Sequence, residues 1–233
     1  MVLKGIVLIT AFIFGMPSMG QVIPKAVRLA TQTPANALTE QGLPYIRCAM
    51  EELKQPYTVE SIPWKRAQKA TEQGHYNGFF MASKTKKRDK YATLSQPFIV
   101  INWFYVTKKN RYISPQDSDF YSRKFVANLG SARHQWLQGL VENGIINSEI
   151  ETPVDEASSL KMLMLDRVDV ALINSIQFDE LIERLFIKMK ELTLYTAKQK
   201  PTGVYFSHTF IKQNPKFLQK FNLAIETCKN NFD

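Results

Sequence analysis

The sequence is poor in the residues that hold metals and do nucleophilic work. It has three histidines, His75, His134 and His208, and two cysteines, Cys48 and Cys228. The histidines stand far apart with no ligand-type pairing, which excludes the usual zinc spacings. There is no G-x-S-x-G turn, no Ser/His/Asp pattern and no glycine-rich phosphate loop. Helix-turn-helix, zinc-finger and RNA-binding signatures are missing as well. The formal net charge of +9 is scattered along the chain, so it reads as a soluble basic surface and an attractive field for anions, not as a nucleic-acid footprint. No cofactor is implied.

Long apolar runs are also scarce. The one present, 5–16, follows Lys4 and is too short to span a bilayer comfortably. Pro17 breaks it, and Ser18-Met19-Gly20 places small residues at the −3 and −1 positions of a cleavage site before Gln21. That pattern predicts a secretory signal peptide over 1–20, with an uncleaved anchor as the alternative. No cysteine follows the run, so a lipid anchor is not indicated. The remainder is long enough for one large domain or two small lobes. Two cysteines in an exported chain are either a disulfide or a pair of buried thiols.

What is there is alternation. Strands are predicted at 25–30, 57–62 and 79–81. Helices lie between them, one from Pro44 to Gln55-Pro56 after a 31–42 loop, one from Pro63 to Gly74. This is the pattern of a parallel sheet with helices on its faces. A long apolar strand follows at 98–106, then a polar stretch at 108–123. Alternation resumes with strands at 125–129, 149–153, 168–173 and 192–195. Its helices start at Gly130-Ser131, at Asp155 and after 173. A turn at 198–203 leads to a last strand at 204–206. Asn214 and Pro215 open the final helix, whose stripe is Phe217, Phe221, Ala224, Ile225 and Cys228.

The segment 77–98 carries the most chemistry. A buried-looking run, Phe79-Phe80-Met81, empties into Ser83, Thr85 and Arg88 and recovers at Leu94-Ser95-Gln96-Pro97-Phe98. An arginine at a strand end can grip a carboxylate with two parallel hydrogen bonds. A solvated basic loop is the other reading. Gly130-Ser131 leaves free N–H groups at a helix start, which suits an anion, or is an ordinary strand-to-helix connection.

Taken in order, these features resemble the type-2 periplasmic solute-binding proteins, in particular family 3, which serves polar amino-acid ABC transporters. Asn77-Gly78 stands where the family has Asp-Gly. Ser83, Thr85 and Arg88 resemble its ligand loop, and 94–98 its F-S-x-P-[FY] tail. Gly130-Ser131 resembles the second-lobe helix start, and 163–171 resembles L-x-x-G-R-x-D-A with Asp166 in place of Gly. The resemblance implies an α/β fold of two lobes joined by two crossover strands. Lobe 1 would be 21–101 plus 204–233, and lobe 2 102–203. A small solute would be held in the cleft by hinge closure.

By that resemblance Arg88 binds the ligand's carboxylate with Gly130 and Ser131, while Ser83 and Thr85 supply hydrogen bonds. Trp64 stacks on the ligand or is a core tryptophan, and Tyr45 is a second aromatic candidate. Asn174 falls where amino-acid binders carry an aspartate for the ligand's ammonium. An amide brings no charge to that task, so the reading favours a carboxylate or other anion over an α-amino acid. Both cysteine-bearing helices belong to lobe 1 in this layout, which predicts a Cys48–Cys228 disulfide. The expected partners are a small carboxylate ligand and an inner-membrane ABC permease or a sensor receptor, with the chain itself a periplasmic monomer and not an enzyme. The alternative is a small dehydratase-like enzyme on the same fold, for which Asp169 and Glu180 are the nearest acid pair.

Overall fold

The computed structural model describes residues 25–33 and 36–232. The signal peptide expected over 1–20 lies outside them. The first elements are β1 (Val27–Gln32), α1 (Ala37–Glu52), β2 (Tyr57–Ile62), α2 (Trp64–Glu72) and β3 (Gly78–Ser83). β1 pairs in parallel with both β2 and β3, so α1 and α2 are the crossovers that alternation requires. Asn77 fixes the register beside β1, its side-chain oxygen accepting the Arg28 N–H at 2.8 Å.

α1 begins at Ala37, seven residues before the proline taken as its start. Asn36 explains this, because its side chain accepts the Thr39 N–H at 3.2 Å and caps the helix. Glu40 in the first turn adds a favourable charge at the positive helix end. Pro44 therefore lies inside the helix and forgoes one backbone bond. Burial of Leu38, Ile46, Ala49 and Met50 on the inner face offsets that loss.

The chain continues through β4 (Ala92–Leu94), β5 (Ile99–Lys108), β6 (Phe125–Val126), α3 (Ala132–Glu142), α4 (Glu156–Met164), β7 (Val170–Asn174), α5 (Ser175–Arg184), β8 (Leu192–Ser207), α6 (His208–Gln213) and α7 (Phe217–Lys229). The strand order is β2-β1-β3-β8-β5-β7-β6, with β4 beside β8. One half of the sheet is thus β2-β1-β3 and the other β5-β7-β6. They are joined through the antiparallel β5–β8 pair, which runs from Lys108↔Leu192 to Ile99↔Thr202.

β8 corrects the expectation of two strands with a turn at 198–203. It is one strand of 16 residues. Residues 198–202 each face a partner on β5, so ladder hydrogen bonds override the local turn chemistry of Lys-Pro-Thr-Gly. Pro201 faces Val100 just before β3 joins β8 at Ser83↔Thr202. The strand expected at 149–153 shrinks to a single bridge, Val126↔Glu151, beside Pro153, which has no N–H to extend a ladder. The last helix starts at Phe217, and Asn214 ends α6 instead, its amide donating to the Phe210 carbonyl at 3.0 Å. Asp166 has φ 56°, so it takes the left-handed conformation that a glycine would fill, and its carboxylate is held by Lys108 and Arg111.

Cys48 on α1 and Cys228 on α7 are disulfide-bonded, closing a loop with a sequence separation of 180. Cross-linking so distant a pair stabilises by about 5 kcal/mol in the chain-entropy model. The paired substitution Cys48→Ser/Cys228→Ser is expected to lower the unfolding free energy extrapolated from urea melts by an amount of that order. Alkylation of the non-reduced wild type is expected to label neither cysteine.

Candidate functional site: a buried arginine between the two halves

β3 ends at Ser83, and the chain turns through Thr85 into a 3-10 turn, Arg88–Lys90. The Thr85 carbonyl accepts the N–H groups of Arg88 and Asp89 at 3.1 Å each, and the Thr85 hydroxyl also accepts the Arg88 N–H. From β8, the Tyr205 hydroxyl donates to Asp89 Oδ1 at 2.7 Å and accepts the Thr85 N–H at 3.1 Å. The loop is pinned from both sides, and Arg88 is turned inward, 1% exposed.

Its guanidinium donates from Nε to Gln68 Oε1 at 3.2 Å, from Nη1 to the Ser83 carbonyl at 2.7 Å and from Nη2 to the Gly130 carbonyl at 3.2 Å. It lies 5.3 Å from the Trp64 ring centroid, 5.6 Å from Phe79 and 6.0 Å from Tyr205. All three acceptors are neutral, and among the described residues no carboxylate forms an ion pair with it. Burial pulls its pKa down to about 10, against the upward pull of Tyr91, Tyr205 and Asp89. It is still a full cation at neutral pH. Three of its five N–H donors are used, so two remain.

Gly130 reaches Arg88 from the other half. Its φ of +72° is in the region that favours glycine, and its carbonyl also accepts from Gln68 Nε2 at 3.1 Å. Ser131 caps α3 by accepting the His134 N–H at 3.0 Å. In return His134 Nδ1 accepts the Gly130 N–H at 3.2 Å, which assigns the proton of the neutral ring to Nε2. A third link across the halves joins the α1 start to α5, the Ala37 N–H donating to Glu180 Oε2 at 2.9 Å.

Two adjoining cavities lie between the halves. One is lined by Ser83, Arg88, Trp103, Ser131 and Arg133, the other by Asn36, Asp155, Glu156 and Glu180. Gln32, Trp64, Asn128 and Gln177 line both. Arg133, in the first turn of α3, is paired with Glu156, in the first turn of α4, and both are buried. Burial, then the charge of Arg88, pulls the Arg133 pKa down to about 9. Gln32 Nε2, Trp103 Nε1, Asn128 Oδ1 and Arg133 Nε are buried there without a hydrogen-bond partner. Such groups are rare in folded proteins, and with the two Glu156 carboxylate oxygens, which also make no hydrogen bond, six such atoms line this one cleft.

The structure thus brings Ser83, Arg88, Trp64, Gly130 and Ser131 together. Thr85 is one step back and shapes the arginine loop. Tyr45 lies elsewhere, stacked on Phe98 at 5.3 Å and against Phe232 at 4.8 Å. Asn174 is fully buried and caps α5, accepting the Gln177 N–H at 3.0 Å. Asp169 and Glu180 are engaged separately, Asp169 accepting the Lys124 N–H at 3.0 Å and Glu180 the Ala37 N–H. Sequence reasoning missed Arg133, Glu156, Asn128 and Gln32. Arg133 left a signal, since a cation in a first helical turn opposes the helix dipole. Glu156 left none, because an acid there is ordinary.

Removing one partner of a buried ion pair leaves the other charge uncompensated. Glu156→Gln is therefore expected to cost on the order of 3–5 kcal/mol of stability, read from denaturant melts. His134 has its pKa lowered below 6.5 by burial and then by Lys65 and Lys87. Its neutral form is favoured on folding, so its contribution is full above about pH 6.5 and declines as pH falls through that value toward the folded pKa. Denaturation midpoints at about pH 7.5 and about pH 5 should differ less in His134→Gln than in wild type.

No family model and no curated protein matches the chain. Solved structures do. A histidine kinase sensor domain with similarity to periplasmic binding proteins superposes with a TM-score of 0.74 at 13% identity, covering 90% of this chain and 92% of its own. An ancestral arginine-binding protein bound to arginine gives 0.70 at 15%, covering 89% and 94%. An ABC uptake transporter substrate-binding protein from Streptococcus pneumoniae with bound histidine gives 0.71 at 16%, covering 87% and 86%. At such identities the likeness is one of fold, and the chain has the two-lobed α/β fold of the type-2 periplasmic binding proteins.

Proposed function

We propose that the chain is an exported solute-binding protein that captures a small carboxylate-bearing solute between its lobes. Residues 21–101 with 204–233 form lobe 1 and 102–203 lobe 2 in this reading. The observation that carries it is Arg88, a buried cation whose contacts are all neutral and which keeps two donors for an anion. Ser131 and the N-terminal N–H groups of α3 face it from the opposite lobe and favour the same charge. Trp64 borders both cavities, with the Arg88 guanidinium over its ring. The unpartnered Gln32 and Trp103 N–H groups are further donors for oxygen atoms, and Asn128 Oδ1 is an acceptor for a ligand N–H or O–H.

The bound solute serves import, handed to a membrane permease, or sensing, read by a receptor. The fold is found in both settings, and its likeness to a histidine kinase sensor domain supports the second as much as the transporter proteins support the first. The same cleft in a dehydratase-like enzyme would turn its ligand over, whereas a binding protein returns it unchanged.

A thermal-shift screen of organic acids, amino acids and short peptides tests this directly. A true ligand at 100 times its dissociation constant adds about 2.7 kcal/mol of stability. Arg88→Ala is expected to abolish that shift, and Arg88→Lys, which keeps the charge and loses the planar fork, to weaken binding at least about tenfold. Wild-type affinity in Arg88→Ala would remove the arginine from the site.

A further inference from the structure

The pole of lobe 2 lies at the far end of its strands from the cleft. Trp103 on β5 and Asn174 on β7 pair near the cleft, and β5 then runs outward to Lys108, which faces the start of β8 at Leu192. α4 and α5 begin at the cleft with Glu156 and Ser175 and end at the pole with Leu165 and Phe186 just beyond them. The turns Lys109–Arg111 and Met189–Glu191 pack together there.

This pole exposes large apolar side chains on unfavourable backbone. Tyr112 has φ 53° and is 88% exposed, and Phe186 has φ 54° and is 93% exposed. Phe186 occupies the position just past the α5 C-cap, where a left-handed residue is ordinarily glycine or asparagine. Tyr112 ends the 3-10 turn in the same conformation. An exposed aromatic ring gains nothing from folding at either site, and the backbone there disfavours it. Leu165 and Met189 stand out on the same pole, 64% and 50% exposed.

The surrounding charge is basic. Lys109, Lys188 and Lys190 are exposed against an exposed acid, Glu191, and Asp166 is already neutralised by Lys108 at 2.8 Å and Arg111 at 3.0 Å. Single aromatic rings projecting from turns, with lysine and arginine at their level, match the boundary layer of a bilayer. There the ring enters among the headgroups and the cation meets phosphate. Export would place the chain beside such a surface.

We propose that the lobe 2 pole docks on an anionic lipid surface, with Tyr112 and Phe186 entering the headgroup layer and Lys109, Lys188 and Lys190 meeting lipid phosphates. The cleft, at the opposite end of the lobe, stays open to solute. This inference does not depend on which solute is bound.

The test is co-sedimentation of the exported protein with phosphatidylcholine vesicles, with and without phosphatidylglycerol. Binding is expected only with phosphatidylglycerol, and it should fall in high salt. Lys188→Glu/Lys190→Glu should lower it at least about tenfold. Tyr112→Gly/Phe186→Gly should abolish it while the thermal midpoint is held or raised, because glycine suits both backbone positions. Failure to sediment with anionic vesicles, or wild-type binding by the double-glycine variant, overturns the proposal. Sedimentation without vesicles would mean self-association at this pole and would overturn it equally.

Discussion

Arg88 is a charge taken almost wholly out of water, and much of the architecture is arranged around that fact. A buried cation is tolerated only when its donors are satisfied and its field is answered. Here the donors go to a side-chain amide and two carbonyls, and the field is answered by the faces of three aromatic rings. The partners come from four places: Gln68 and Trp64 from α2, Ser83 and Phe79 from β3, Tyr205 from β8, and Gly130 from the far side of the cleft. Moving any one of these elements would strip a partner from a group that cannot shed its charge.

Only one of those partners belongs to the other half of the molecule. The Gly130 carbonyl reaches Arg88 because glycine adopts a left-handed turn just before Ser131 caps α3. The two halves are also joined through the β5–β8 ribbon. Among the described residues three side-chain bonds cross the cleft, Arg88 and Gln68 to Gly130 and Ala37 to Glu180. A ligand anion on Arg88 and the α3 start would add a stronger, charge-assisted link at the same place. In the proposed cycle the arginine is thus both the solute's anchor and part of the contact that holds the lobes together.

The alternation of strand and helix was legible because its period and its turn residues agree, as at 57–62, where strand bounds and prediction coincide. Local reasoning failed where a distant partner decided the outcome. The Lys-Pro-Thr-Gly stretch in β8 reads as a turn, yet β5 supplies partners for its first three residues and β3 for Gly203. α1 was read from its proline because Asn36 is an unremarkable residue until its cap is seen. In the site, Arg88 and Ser131 sit at element ends that sequence can locate. Glu156 and Asn128 come together with them only through the tertiary fold.

The charge inventory of the cleft sharpens what it favours. α3 and α4 both turn their N-termini toward it, and each contributes partial positive charge there. Arg133 adds a full charge against that gradient, and Glu156 is the buried acid that offsets it. With this pair cancelling, Arg88 and the α3 start remain in surplus in their own cavity, while the adjoining one carries Asp155 and Glu180 beside Arg184, and Lys65 and Lys87 lie close enough to depress the neighbouring His134. At position 174 the chain has a fully buried amide that is spent on capping α5.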